Sequence, residues 1–311
     1  MRKIALIALV LLMLAVMAAS AAAQDGSGLS EEQRAQVRRA VRAASSMTDY
    51  ADYVVHTHES SERTITIHSL GQTLTGHESV VRDAVTTYVS RNDGGQDIQA
   101  LIEAEVESTE PSSLAPTAYT LSAEVRRVDG VLYVLASRET NVRTGLSIMP
   151  EGWIIVENVS EWPALQALDL GNYLDNSPQN SLLTDPDTLI NHAANVTVTP
   201  TSSSEETSPD EITITLTGSG ARAALQDTST TAALYLAADD ASRVTLRVTV
   251  SADDRLIAQR SEMTLAWTGL DLNKLDSEIP ANAATANIVL ETSSFLEITQ
   301  SGTDLGSIAA P

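Results

Sequence analysis

The segment Thr231–Gly269, TAALYLAADDASRVTLRVTVSADDRLIAQRSEMTLAWTG, decides the fold class of this chain. Its middle part, Arg243–Val250, alternates apolar and polar residues one by one, which is typical of a β-strand with one buried face. Leu234 and Leu236 before it, and Trp267 after it, belong to two flanking parts with the same rhythm. Two acid-rich turns separate the three parts. The segment therefore predicts a meander of three antiparallel strands.

Similar alternation recurs over most of the chain, and each such segment predicts another half-buried strand. Tyr53–His58 and Ile65–Ile67 predict two strands joined by a turn at Ser60–Glu62. Residues 80–88 are compatible with either a short helix or a strand. Further predicted strands cover residues 98–106, 119–125, 131–135, 153–156, 195–199 and 211–217.

Helix signals are fewer than strand signals. Ser30 followed by Gln33 forms a capping box, and apolar positions then recur at helical spacing, so a helix is predicted at residues 31–46. Asp185 directly before Pro186 predicts the start of a second, short helix. A short helix or a lid-like loop is predicted at residues 164–173.

The amino-terminal residues have the pattern of an export signal. Arg2 and Lys3 precede an apolar run, and small residues follow up to Ala23. We expect cleavage near Ala23 and a secreted, periplasmic or cell-envelope location, with an uncleaved membrane anchor as the alternative. The chain has no cysteine, which excludes both a disulfide framework and a lipid anchor on a cysteine.

The net charge limits the classes of partner. The chain carries 41 acidic and 19 basic residues, for a formal net charge of −22. Binding of nucleic acid through its phosphates is excluded on this basis, because it needs a basic surface. The same argument excludes peripheral membrane binding through basic residues.

No motif indicates catalysis or a cofactor. The nucleophile motif G-x-S-x-G is absent, and Gly218-Ser219-Gly220 lacks the third glycine and the basic residue of a phosphate loop. The acidic segment Asp271–Glu278 has the spacing of a calcium loop but lacks its glycine. A pair of carboxylates for glycoside hydrolysis leaves no spacing signature, so that alternative stays open. We expect a protein that needs no cofactor and is not an enzyme.

Three histidines form the one metal-like pattern in the sequence. If Tyr53, Val55, Ile65 and Ile67 point to one side of the sheet, then the histidines point to the other, and two of them form an H-x-H pair. A solvated polar face is the simpler interpretation, so no metal site is predicted. The weak candidate ligands are His56, His58 and His68.

The order of elements resembles the bacterial LolA-like superfamily of lipid and lipoprotein carriers, including the LppX and LprG type. The similar stretches are Gly130–Val134 followed by Gly152–Ile154, the helix start at Asp185, and Leu265–Gly269 with Ile279-Pro280 soon after. The resemblance implies an α+β fold, mainly antiparallel β, in which a curved half-open barrel packs on an N-terminal helix and short helices. It also implies an apolar cavity between sheet and helices that shelters a lipid or another hydrophobic ligand.

The resemblance and the alternation together give the predicted organisation. A signal peptide covers residues 1–23, the LolA-like domain residues 24–280, and a C-terminal extension residues 281–311, which is either an edge addition or partly disordered. The alternatives are an envelope sensor that binds an envelope protein and a secreted protein that associates with itself. The candidates for lining the cavity are Ile65, Ile67, Leu121, Val125, Ile154, Val156, Ile214, Leu216, Leu234, Leu236, Leu246, Val248 and Leu265.

Overall fold

The fold was analysed in a computed structural model, which describes residues 28–50, 52–69, 71–109, 117–140, 149–174, 183, 185–201, 208–228, 238–272, 284–301 and 305–311. The strands are β1 Asp52–Ser69, β2 Gln72–Ser90, β3 Gln96–Thr109, β4 Thr117–Val128, β5 Val131–Thr140, β6 Ile154–Ile155, β7 Asn195–Pro200, β8 Asp210–Thr217, β9 Arg243–Val250, β10 Leu256–Asp271 and β11 Ala284–Ser301. The α-helices are α1 Glu31–Ser45, α2 Gly171–Leu174, α3 Pro186–His192 and α4 Gly218–Thr228, and 3₁₀ helices cover Ser46–Asp49, Val159–Glu161 and Pro163–Leu168.

All eleven strands form one sheet in the order β6-β5-β4-β3-β2-β1-β11-β10-β9-β8-β7, and every neighbouring pair is antiparallel. The chain starts at the centre, proceeds outward to β6, passes through the short helices and returns from β7 to the centre. The first and last strands are therefore neighbours. This confirms the predicted α+β, mainly antiparallel class, with an open sheet whose edges are β6 and β7.

One face of the sheet is covered by helices, and we call it the inner face. It carries Tyr53 and Val55 of β1, which are fully buried. Helix α1 packs against β7 to β10 and against α3, and the 3₁₀ helix Pro163–Leu168 packs against β2, β3 and β4. The buried face of α1 consists of valine and alanine, and these small side chains let the helix approach the sheet closely. The opposite face of the sheet is the outer face.

Both predicted helix starts are confirmed. The Ser30 hydroxyl accepts a hydrogen bond of 3.2 Å from the Gln33 backbone N–H, and the Gln33 side chain accepts one of 2.9 Å from the Ser30 N–H. The Asp185 carboxylate accepts hydrogen bonds from the backbone N–H groups of Asp187 and Thr188. The predicted hairpin strands β9 and β10 are confirmed as well, with direct antiparallel pairing.

The predicted turn at Ser60–Glu62 is wrong. These residues lie in the middle of β1, which is one strand of 18 residues. Both neighbours pair with this part of the strand, because Ser61 lies opposite Val80 of β2 and opposite Thr292 of β11. Hydrogen bonding from both sides therefore overrides the local preference of serine for turns. The ambiguous residues 80–88 are likewise part of a long strand, β2.

The expected edge position of the C-terminal segment is also wrong. Strand β11 lies at the centre of the sheet, between β1 and β10. Its partner β1 is more than 200 residues earlier in the chain, and no local pattern indicates such a pairing. Residues 284–301 thus belong to the same sheet as the segments before them.

Three predictions concern residues outside the described part of the chain: the export signal at residues 1–23, the first meander strand with Leu234 and Leu236, and most of the acidic segment after Asp271. Among the described residues, no helix is long and apolar enough to cross a membrane.

Candidate functional site

Most of the predicted cavity-lining residues lie in the packed core. Eight of them are almost completely inaccessible to solvent: Leu121, Val125, Val156, Ile214, Leu216, Leu246, Val248 and Leu265. Ile154 is half-buried against the same core, whereas Ile65 and Ile67 pack on a small second cluster around Ala286. None of these eleven residues lines the two large cavities described below. Their role in ligand binding stays a prediction.

A cavity of about 470 Å³ lies between the inner face and the 3₁₀ helix Pro163–Leu168. We call it the sheet–helix cavity. Strands from both halves of the sheet contribute to it, because β1 and β11 are neighbours at its centre. Its polar lining includes Glu59, Ser61, Glu78, Arg82, Gln166, Ser261, Thr292 and Ser294, and its apolar lining is Val80, Val106, Tyr119 and Ala167.

The strand register places these side chains in two neighbouring rows across the sheet. The first row runs from Arg82 through Glu59 and Ser294 to Ser261. The hydroxyl groups of Ser261 and Ser294 lie 2.7 Å apart and form a hydrogen bond. The second row contains Val80, Ser61 and Thr292, and its apolar end continues to Val106 and Tyr119. The cavity wall is therefore polar on one side and apolar on the other.

Arg82 connects the two layers that enclose the cavity. Its guanidinium group forms an ion pair with Glu59, lies 3.6 Å from the Asp169 carboxylate, and donates a hydrogen bond of 2.9 Å to the carbonyl oxygen of Ala167. Its side chain is only 17% exposed, so water screens these interactions weakly. Asp169 ends the 3₁₀ helix in a left-handed conformation, with φ of 51°.

Carboxylates and cations are balanced around this cavity. Glu59, Glu78 and Asp169 face the guanidinium groups of Arg82 and of Arg63, which pairs with Glu78 at 2.7 Å. A third guanidinium group, that of Arg138, lies 5.8 Å from the ring of Tyr119. An anionic group that entered the cavity would meet no free cation among these residues.

Two buried tyrosines lie next to Arg82 and Glu59 of the first row. A small pocket of about 40 Å³ shares Glu59 and Arg82 with the cavity and also contacts Tyr88 and Tyr173. Burial raises the pKa of the Tyr173 phenol, against a smaller opposing effect of its hydrogen bond to Thr86. Burial also raises the pKa of Tyr88 well above its ordinary value. Both phenols therefore stay protonated and uncharged at neutral pH.

Toward the C-terminal end of β1, the inner face of the sheet becomes apolar. Ile65 is six residues beyond Glu59 on the same face, which corresponds to about 20 Å of strand. It pairs with Ile288 of β11, and Ile67 in the next row pairs with Leu74 of β2, which is 41% exposed. An apolar strip thus follows the polar rows on the same face of the sheet.

The second large cavity is an open groove of about 660 Å³ on the outer face. One row of paired positions crosses it from β2 to β5, and the apolar members of this row are Val85, Leu101 and Leu135. We call it the outer groove. Its lining includes His56, Asp83, Val85, Leu101, Glu103, Ser122, Glu124, Leu135 and Ser137.

The histidines lie on the outer face, as predicted, but not together. His58 Nδ1 is 2.8 Å from the Asp83 carboxylate, and His56 Nε2 is 3.9 Å from it. His68 is ten residues further along β1, about 33 Å away, and contacts Thr73 and Asn287 instead. Within the described part of the chain, no three histidine or acidic side chains are positioned to hold a metal ion.

The sequence analysis did not identify the residues of the sheet–helix cavity. Glu59, Arg82 and Ser294 are far apart in sequence and meet only through strand register. The one available signal was the serine-rich composition of residues 60–61 and 293–294, because serine is uncommon inside long strands.

Comparisons with known proteins give little further information. No family model matches the chain, and no curated protein matches it. One similar solved structure is a DUF1329 family protein from Desulfovibrio piger, with 14% identity, a TM-score of 0.19, and coverage of 87% of this chain and 94% of that one. Another is a beta-barrel-like protein of the domain of unknown function DUF1849 from Brucella abortus, with 8% identity, a TM-score of 0.15, and coverage of 78% and 98%. These TM-scores are too low to support an argument about fold or function.

Proposed function

We propose that this protein is an exported, non-enzymatic binding protein that holds an amphipathic lipid-like ligand in the sheet–helix cavity. The observation that carries the proposal is the cavity itself, which lies between the sheet and the 3₁₀ helix and changes from polar to apolar along its wall. Its volume of about 470 Å³ lies within the range typical of small-molecule sites. A ligand with one polar and one hydrophobic end matches this division.

The polar end of the cavity favours an uncharged head group rich in hydroxyl groups. The hydroxyl groups of Ser61, Ser261 and Ser294 can donate and accept hydrogen bonds. Because the arginines around the cavity already have partners, a fatty-acid carboxylate would lose its hydration without gaining a free cation. The proposed ligand therefore resembles a monoacylglycerol or a glycolipid more than a free fatty acid.

The apolar end supplies the binding energy for a hydrocarbon chain. Each methylene group that leaves water contributes about 0.8 kcal/mol. Val80, Val106 and Tyr119 provide the apolar contacts of the cavity. The strip around Ile65 and Leu74 lies on the same face, beyond the Arg63–Glu78 ion pair. About ten buried methylene groups correspond to the roughly 8 kcal/mol of micromolar binding.

The charges in the cavity favour binding rather than catalysis. Arg82 engages both Glu59 and Asp169, so these carboxylates act as counter-ions and hydrogen-bond acceptors. A general acid or base needs a proton-exchanging group that is free to reach the substrate. We also propose export on the basis of the N-terminal sequence, which fits a carrier of poorly soluble molecules.

Two measurements test the proposal. Native mass spectrometry of the purified protein should show a co-purifying lipid, and titration with a fluorescent monoacylglycerol analogue should show saturable uptake. Ser61→Trp should abolish uptake, because the indole fills the cavity. Ser79→Trp is the matched control, since Ser79 is on β2 and points to the outer face next to Glu62. Absence of both lipid and uptake, or equal uptake by the two variants, would overturn the proposal.

A further inference from the structure

The outer groove is separate from the sheet–helix cavity and has an unusual surface for an outer sheet face. Leu101 is 59% exposed, Val85 46% and Leu135 37%, and all three lie in one row across β2, β3 and β5. Glu124 of β4 lies in this row between Leu101 and Leu135. Val85 and Leu101 are therefore adjacent, and Leu135 lies beyond the carboxylate. Exposed apolar side chains with polar neighbours are typical of a binding surface.

Acidic side chains surround this apolar row. Glu103 lies next to Leu101 on the same face of β3, opposite Asp83, and Glu105 follows it. Within the described residues, neither Glu103 nor Glu105 has an ion-pair partner. The nearby basic groups already have partners, because Arg126 pairs with Glu124 at 2.7 Å and His58 Nδ1 lies 2.8 Å from the Asp83 carboxylate. The complementary occupant is therefore both apolar and positively charged.

The protein's own C-terminal residues lie on the outer face, beside the outer groove. Leu305 donates its N–H to the Asp52 carboxylate of β1 at 3.4 Å, and Arg126 of β4 donates to the carbonyl oxygen of Ala309 at 3.1 Å. The segment Leu305–Ala309 thus runs across the outer face from β1 to β4, with Gly306 in a left-handed conformation at φ of 80°. Arg126 lies in the row next to the apolar one.

We propose that the outer groove binds an extended segment of a partner protein that alternates apolar and basic residues. The apolar side chains would pack on Val85, Leu101 and Leu135, and the basic side chains would face Glu103, Glu105 and Asp83. This inference goes beyond the proposed function, because it concerns the opposite face of the sheet. It gives the protein a docking surface that a ligand in the cavity leaves free.

Peptide binding to the full-length protein tests the inference. The probe is a fluorescent peptide of about nine residues that alternates leucine and lysine, a length that covers the groove. One comparison peptide has glutamate in place of lysine, and the other has serine in place of leucine. We expect the first probe to bind about tenfold tighter than either comparison peptide, with affinity that falls in about 0.5 M salt.

Substitutions in the protein test whether the probe peptide binds in the outer groove. Leu101→Ser should weaken binding about tenfold, and Glu103→Gln with Glu105→Gln should weaken it and reduce its salt dependence. The matched controls are Val289→Ser, an exposed apolar residue on the outer face of β11, and Glu291→Gln on the same strand; both should bind as the wild type does. If the serine peptide binds as tightly as the leucine peptide, or if Leu101→Ser has no effect, attraction to the acidic surface alone explains binding and the proposal is wrong.

Discussion

Arg82 of β2 donates a hydrogen bond of 2.9 Å to the carbonyl oxygen of Ala167 in the 3₁₀ helix above it. This bond, together with the ion pair to Glu59, joins the sheet to the helix where the sheet–helix cavity lies. Strand β2 is held by its ladder hydrogen bonds, whereas the 3₁₀ helix is a short segment of six residues. Arg82 therefore positions the helix and shapes the polar end of the cavity.

Replacement of Arg82 by methionine should lower both stability and ligand uptake. The change removes the ion pair with Glu59 and the charge-assisted hydrogen bond to the Ala167 carbonyl oxygen, so we expect a loss of about 1–3 kcal/mol in the free energy of unfolding. Urea denaturation measures the loss. The control is Arg63→Met, whose ion pair with Glu78 lies on the same face but is 55% exposed on the arginine side, so its loss should cost less than about 1 kcal/mol. Equal losses for both variants would contradict the role of Arg82.

The tyrosine pair in the core should make the protein sensitive to alkali. The rings of Tyr53 and Tyr88 stack with centroids 4.5 Å apart, and burial raises the pKa of Tyr53 to about 12. A raised pKa means that the unfolded state loses its proton first as the pH rises, so stability is complete below about pH 10 and is lost between about pH 10 and 12. Urea denaturation across this range measures the effect. Tyr53→Phe should make stability less dependent on pH there, and an unchanged slope would contradict the assignment.

Gly220 is required for packing between two helices. A Cβ atom at this position would lie 2.4 Å from the carbonyl oxygen of His192, at the end of α3. Gly220→Ala should therefore destabilise the protein by about 1–3 kcal/mol, as overpacking does. Gly28→Ala is the control, because nothing lies within 4 Å of its Cβ position. Thermal unfolding of both variants checks this. A close helix contact thus accounts for one glycine of the G-x-G pattern without any phosphate-binding role.

The N-cap of α3 gives a prediction at acidic pH. The Thr188 hydroxyl and the backbone N–H of Asp187 hydrogen-bond to the Asp185 carboxylate and lower its pKa. The ionised Asp185 carboxylate therefore stabilises the protein fully at pH values above its pKa in the unfolded state. This stabilisation is lost as the pH falls through its lower pKa in the folded state. Asp185→Ala should cost about 1 kcal/mol at neutral pH. The loss should shrink in acid, whereas a loss of equal size at pH about 2 would contradict the assignment.

Local patterns were sufficient for the elements that depend on nearby residues. Strands β9 and β10 follow from alternation, the start of α1 from the capping box at Ser30, and the start of α3 from Asp185 before Pro186. In each case the residues that decide the structure lie within a few positions of each other, so the sequence shows the interaction directly.

Interactions between distant residues could not be predicted. Ser61 continues a strand because Val80 and Thr292 pair with it from both sides, and Thr292 is more than 200 residues away. The cavity has the same origin, since Glu59, Arg82 and Ser294 meet only after β1, β2 and β11 align. Leu121 and Ile214 were candidates for lining the cavity and are fully buried, because alternation identifies buried positions but cannot distinguish a packed core from a cavity wall.

The most direct test of the proposed function is to locate the bound ligand on the protein. A monoacylglycerol analogue with a photoreactive diazirine on its acyl chain would be bound, irradiated and mapped by fragmentation mass spectrometry to single residues. We predict cross-links to inner-face residues of the sheet–helix cavity, chiefly Val80, Val106, Tyr119 and Ala167. Cross-links confined to Val85, Leu101 and Leu135 on the outer face would contradict binding between the sheet and the helix.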